Sequence, residues 1–98
     1  MTRYPNNPGP EMLTLLALST DWHDVGHHYP YGRRIGRVAV NLAGLRPDWV
    51  AGCVWLDREW APNGHTVTAM GLVARMVAGQ VRWYTRRLAS WRVYTEQQ

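Results

Sequence analysis

The sequence predicts a small α+β domain, three to four helices followed by a C-terminal β-hairpin, and three stretches predict it. Met12, Leu15, Leu16 and Trp22 recur at helical spacing behind Pro10, with Leu13 and Leu18 to either side. Val67, Met70, Leu72, Val73, Met76 and Val77 form a segment apolar nearly all round, as a central helix would be. From Val81 to Thr95, two runs rich in arginine, aromatic and β-branched residues flank Leu88-Ala89-Ser90, the pattern of a strand pair.

Each element has its own local justification. Residues 1–9, rich in Asn, Pro and Gly, read as a flexible arm, and residues 10–98 as one domain. Pro10 suits a first helical position and Glu11 the positive helix end, giving a first helix from Pro10 to about Asp21. Trp22 to Gly32 is punctuated as a loop by Gly26, Pro30 and Gly32. Ile35, Val38, Ala39 and Leu42 place a second helix over Arg33 to Ala43, with Gly44 to end it; a strand competes, because Val38, Val40 and Leu42 alternate. Trp49, Cys53, Leu56 and Trp60 continue as a helix behind Arg46-Pro47-Asp48. Ala61-Pro62-Asn63-Gly64 is a turn, and His65 or Thr66 caps a last helix to about Ala78, terminated by Gly79. A β-hairpin from Val54 to Ala69 around that turn is the alternative.

In the C-terminal hairpin at 81–95, a loop at Leu88-Ala89-Ser90 pairs Thr85 with Val93 and Arg87 with Trp91. One face then carries Val81, Trp83, Thr85, Trp91 and Val93, and the other Arg82, Tyr84, Arg86, Arg92 and Tyr94. Arg86 opposite Arg92 destabilises the pair unless an anion lies over it.

Composition narrows the class. All eleven positive residues are arginine, against seven acids, for a net charge of +4, and there are six tryptophans and no phenylalanine. A GC-rich bacterial or phage genome accounts for part of the arginine excess. The clustering is more informative, since five arginines stand against Glu96 from Arg75 onward. The lone Cys53 excludes an internal disulfide, Met1 to Pro10 lacks an apolar signal-peptide core, and Val67 to Val81 is too short and interrupted to span a bilayer. A cytoplasmic protein with no membrane association is expected.

Val38-Ala39-Val40-Asn41-Leu42-Ala43-Gly44-Leu45-Arg46-Pro47-Asp48-Trp49-Val50 has the sequence logic of two helices joined by a tight turn. With an opening helix and a basic hairpin, the order of the chain resembles the winged helix-turn-helix superfamily. More locally it resembles small PadR-type bacterial regulators, through Met12 to Leu18, Tyr31-Gly32, Gly44-Leu45-Arg46-Pro47 and Trp91-Arg92-Val93-Tyr94-Thr95. The resemblance implies a transcriptional regulator binding double-stranded DNA, with 81–95 as its wing. The reading helix is either the one carrying Thr66, Thr68 and Arg75 or the one opened by Arg46, Asp48 and Trp49. The implied DNA-contacting residues are Arg33, Arg34, Arg37, Arg46, Thr66, Thr68, Arg75, Arg82, Tyr84, Arg86, Arg87 and Arg92.

The alternative is a small, phage-encoded adaptor or inhibitor that binds a host protein, because six tryptophans and five tyrosines exceed what so small a core needs. A homodimer is open under either reading. An enzyme is not expected: there is no GxSxG, no phosphate-binding glycine loop and no paired carboxylates, and Cys53 reads as a small core residue. His23, Asp24, His27 and His28 have ligand chemistry, but neither CxxC nor HExxH accompanies them, so neither metal nor cofactor is expected.

Overall fold

The computed structural model describes residues 8–32 and 36–94. Helix α1 spans Pro10–Ser19 and five strands follow: β1 His23–Gly26, β2 Arg37–Asn41, β3 Trp49–Ala61, β4 Gly64–Val77 and β5 Gln80–Tyr94. All pair antiparallel in one sheet of order β1-β5-β4-β3-β2. The last three strands form a meander of long hairpins, and the chain between β1 and β2 crosses from one edge to the other.

This architecture overturns the expected three to four helices, and with them the winged helix-turn-helix resemblance: α1 is the only helix among the described residues. The segment 38–50 is not a helix-turn-helix but β2, a turn and the start of β3. The expected helix from Arg33 is the strand Arg37–Asn41, and positions 33–35 lie outside the described residues, as do 1–7 of the expected arm. The helices expected behind Pro47 and behind His65 are β3 and β4. For β4 the physical reason is burial on both faces, which makes a strand read as a nearly continuous apolar run that satisfies helical spacing as well as any helix does. β2 and β3 are more exposed, but apolar residues on both of their faces meet helical spacing too. Turn chemistry separates the two cases. Pro62-Asn63 joins β3 to β4, with Ala61 opposite Gly64. Ala78 (φ 51°) and Gly79 (φ 78°) join β4 to β5, and two successive positive φ angles define the hairpin turn whose twist matches the strands. Gly79 is thus a hairpin residue rather than a helix terminator.

The basic hairpin at 81–95 is also corrected. Leu88-Ala89-Ser90 is not a loop, because β5 runs through it and pairs with β4 along its whole length. Ala89 lies opposite Ala69 and Arg87 opposite Met70, so Leu88 is an extra residue, a bulge that resets the alternation of β5. Trp83 and Thr85 therefore face one side, and Trp91 and Val93 the other.

Two layers cover the sheet. On one face α1 lays Leu13 and Ala17 over Leu42, Trp49, Val54, Val67, Ala69, Val73 and Trp91, with Tyr84, Leu88 and Val93 at the margin. The helix thus buries its Leu13/Ala17 side, whereas Met12 and Leu15 of the expected stripe are exposed. Trp22 fastens the helix end: its Nε1 donates to the Ala17 carbonyl at 3.0 Å, and its ring meets Trp49 edge-on at 5.7 Å. A Cβ on Gly71 would lie 2.5 Å from the Trp22 ring, so glycine in the central strand is what admits the indole.

On the opposite face Leu72, Ala74 and Thr85 are buried with Trp55, and the 27–32 segment folds over them. Tyr31 packs edge-on against Trp55 at 4.9 Å and Tyr29 against Trp83 at 5.0 Å. Burial pushes the Tyr29 phenol above its ordinary range, and burial likewise pushes the Cys53 thiol up.

Candidate functional site

Strand lengths create the most distinctive surface. β1 reaches along β5 only as far as Thr85, and β2 reaches along β3 only as far as Leu56. Beyond those points β3, β4 and β5 continue together, about 17 Å further, as a three-stranded arm ending at Pro62-Asn63. The arm contributes to a molecule measuring 56 × 25 × 17 Å. Among the described residues, Arg86 to Tyr94 of β5 and Asp57 to Ala61 of β3 are sheet edges with no strand beside them. Unpaired edges are templates for another strand unless blocked.

The two edges differ in chemistry. β5 presents Arg86, Arg87 and Arg92, while β3 presents Asp57, Arg58 and Glu59. The register sets Asp57, Thr68 and Ser90 in one row, and Glu59, Thr66 and Arg92 in another, on the face away from α1. The Thr68 and Ser90 hydroxyls, 3.5 Å apart, mark that shared face. On the α1 face the corresponding rows are Arg58, Val67, Trp91 and Trp60, His65, Val93. At the tip Trp60 is 70% exposed and Tyr94 60%; Trp60 stacks at a tilt on His65 at 4.5 Å, and Arg92 lies over Tyr94 at 5.5 Å. Stiff aromatics beside arginines are the side chains that anchor protein interfaces.

At the base of the sheet the arginines are already committed. Arg82 of β5 donates Nε to Asp24 Oδ2 at 2.9 Å and Nη2 to Oδ1 at 3.1 Å, clamping β1 to β5. Its Nη1 lies 2.9 Å from His27 Nε2, and His27 Nδ1 lies 3.0 Å from the Val81 carbonyl. The bond to Arg82, with help from the Gly26 amide, holds the Asp24 carboxyl below the usual carboxylate range, and Asp24 in turn raises Arg82. Arg75 of β4 donates Nε to Asp48 Oδ2 at 2.8 Å, which lowers the Asp48 carboxyl, and its guanidinium lies over Tyr84 at 4.8 Å. Arg46 donates to the Leu18 carbonyl at 2.6 Å beside Trp49. Together Arg46, Asp48, Arg75, Trp22 and Trp49 line a shallow cleft of about 200 Å³.

The residues expected to contact DNA are therefore dispersed. Arg33 and Arg34 lie outside the described residues, and Arg37 is exposed on the edge strand β2. Arg75 and Arg82 are ion-paired and Arg46 is bonded to backbone. Thr66 and Thr68 sit mid-sheet on β4 rather than on a groove-reading helix. Tyr84 and Arg86 point to the α1 side, while Arg87, Arg92 and Tyr94 point to the other, because the Leu88 bulge intervenes. The single basic face opposite an apolar face does not exist in this fold, and nothing in the sheet supports DNA binding. Asp24 and His27 of the histidine-rich loop do converge, on the Arg82 guanidinium.

Sequence reasoning passed over Asp57, Glu59, Trp60 and Tyr94 as functional positions. The Pro62-Asn63-Gly64 turn was the available signal, since as a hairpin turn it sets 57–61 beside 64–68. Comparison with protein-family models, with curated proteins and with solved structures finds no match. No helix among the described residues is long and apolar enough to cross a membrane.

Proposed function

We propose that the chain is a protein-binding module that docks through the open arm of its sheet. The observation carrying this reading is the pair of edges, Asp57 to Ala61 and Arg86 to Tyr94, that have no strand beside them among the described residues and meet at a tip where Trp60 and Tyr94 are exposed. An added strand gains main-chain hydrogen bonds along such an edge, while the arginine and aromatic side chains select which strand is accepted. The sheet behind the arm is a platform: α1 and Trp22 stiffen one face, and Tyr29 and Tyr31 the other. The base ion pairs support the reading too, because they neutralise Arg75 and Arg82 and leave the uncompensated positive charge toward the arm.

Site-specific photo-crosslinking tests the reading. A photoreactive residue placed at Tyr94 or Trp60, in the cells that make the protein, should yield defined protein adducts. The same residue at Ala78, at the opposite end of the meander, should yield none. Equal labelling at both ends, or adducts to nucleic acid alone, would contradict it.

A further inference from the structure

We infer that the partner of the arm is an extended acidic segment of another protein, added as a strand beside β5 between Arg87 and Tyr94. This rests on the docking reading above and names the chemistry of its occupant. β1 already holds the lane beside β5, running antiparallel to it, but only as far as His23 opposite Thr85. From there to Tyr94 the described residues leave the lane open. A strand entering from the tip runs antiparallel to β5, like every other pair in the sheet, and stops short of His23. Charge decides what enters. Neither β4 nor β5 contains an acid, whereas β5 sets Arg86, Arg87 and Arg92 beside the lane. Asp57 and Glu59, the acids of the arm, stand on β3, two strand spacings or about 10 Å away, too far to pair with Arg87 or Arg92. Arginines on an edge guard it against strands that bring no negative charge, and a second β5 edge brings only more arginine. An acidic strand turns the same arginines into cross-strand pairs.

The register makes the requirement specific. Arg92 lies opposite Thr66, Ser90 opposite Thr68 and Arg87 opposite Met70, all on the face away from α1, while Trp91 and Ala89 alternate with them toward α1. The Leu88 bulge adds a residue without adding a row, and so puts Arg87 rather than Arg86 on the face of Arg92. Counted from the residue beside Arg92, the incoming strand therefore needs acids at its first and fifth positions, a polar residue at the third beside Ser90, and apolar residues at the second and fourth beside Trp91 and Ala89. The other open edge of this chain does not supply that pattern. In Asp57-Arg58-Glu59-Trp60-Ala61 the second position is an arginine, which would stand beside Trp91, and the fifth is an alanine, which leaves Arg87 unanswered. The donor is accordingly a different protein.

Titrating the full, isotope-labelled chain with synthetic peptides, read by amide chemical shifts, tests this. The probe is a peptide of about ten residues, a strand's length, with the core Glu-Val-Thr-Val-Glu. One control carries Lys for both Glu, and another keeps the composition but sets the two Glu side by side. The probe should shift amides from Arg86 to Tyr94 and the β4 residues facing them, with an affinity that falls as salt is raised. The Lys peptide should not bind, and the reordered peptide should bind more weakly. Arg92→Glu and Arg87→Glu should each weaken the probe about three- to tenfold, since each sets like charges opposite one another. A peptide with Lys at the first core position should recover binding to Arg92→Glu, which also shows that this variant is folded. No shifts along β5, shifts at the β3 edge instead, equal binding by the reordered peptide, or variants that bind the probe as the wild type does would overturn the inference, as would a Tyr94 crosslink to a second copy of this chain. If the probe fails while Tyr94 still crosslinks to another protein, this inference falls and the docking reading stands. If the probe fails and Tyr94 crosslinks to nothing, both fall.

Discussion

Arg82 grips Asp24 through a two-pronged contact, Nε to Oδ2 at 2.9 Å and Nη2 to Oδ1 at 3.1 Å, and so ties the four-residue edge strand β1 to β5. The Asp48–Arg75 pair does the same for the turn before β3. Both carboxyls are held below their ordinary values, first by the hydrogen bond from the arginine. A carboxyl with a lowered folded-state pKa contributes stability that is present above its unfolded value, about 4, and lost as pH falls through the folded one. Thermal unfolding followed from neutral pH downward should show the melting temperature dropping below about pH 4. In Asp24→Asn with Asp48→Asn that drop should be shallower, and the melting temperature at neutral pH lower. A slope unchanged by the substitutions would contradict this role.

His27 has one protonation pattern that satisfies both of its contacts. The Val81 carbonyl only accepts and the Arg82 guanidinium only donates, so Nδ1 carries the proton and Nε2 accepts. Nitrogen chemical shifts of the labelled imidazole at neutral pH should identify the Nδ1–H tautomer. They should move toward the mixed tautomers of a free histidine in Arg82→Ala.

Gly71 and Trp22 form a fitted pair. Gly71→Ala would drive a methyl into the indole and should destabilise the fold by about 1–3 kcal/mol, the usual cost of overpacking. In a Trp22→Leu background the same change should cost much less, because the group it collides with is gone. Denaturant melts of the four members of this cycle measure the coupling, and additive effects would rule the contact out as the cause.

Ala78 occupies the left-handed region at φ 51°, which costs an L side chain about 1 kcal/mol. Ala78→Asn, matching the asparagine-glycine preference of this turn, should recover much of that, read as a higher denaturant midpoint at constant slope. A lower midpoint would argue against the two-residue turn.

The legible and illegible parts of the sequence divide along physical lines. α1 was readable because Pro10 and Glu11 mark a helix start and its apolar residues can be buried on one side only. The segment from Val67 to Val77 was readable as deeply buried but not as a strand, since being central in a sheet removes the polar alternation that would betray period two. Ala78-Gly79 was misassigned because glycine serves helix ends and hairpin turns alike, and a left-handed alanine leaves no mark in a sequence. The Leu88 bulge was beyond reach: one extra residue inverts every side chain after it, and that inversion made the arginines of β5 look like a single face. The arm could not be foreseen at all, because it arises from a mismatch in the lengths of strands distant in the chain.

Amide hydrogen exchange measured residue by residue, in dilute solution and again in concentrated solution or in an extract of the cells that make the protein, reads docking on the arm most directly. Docking on the arm predicts slower exchange at outward-facing amides of Asp57 to Ala61 and Arg86 to Tyr94, with β4 and the β1-covered part of β5 unchanged. Exchange that stays the same along both edges, or that slows at the base of the sheet instead, would contradict it.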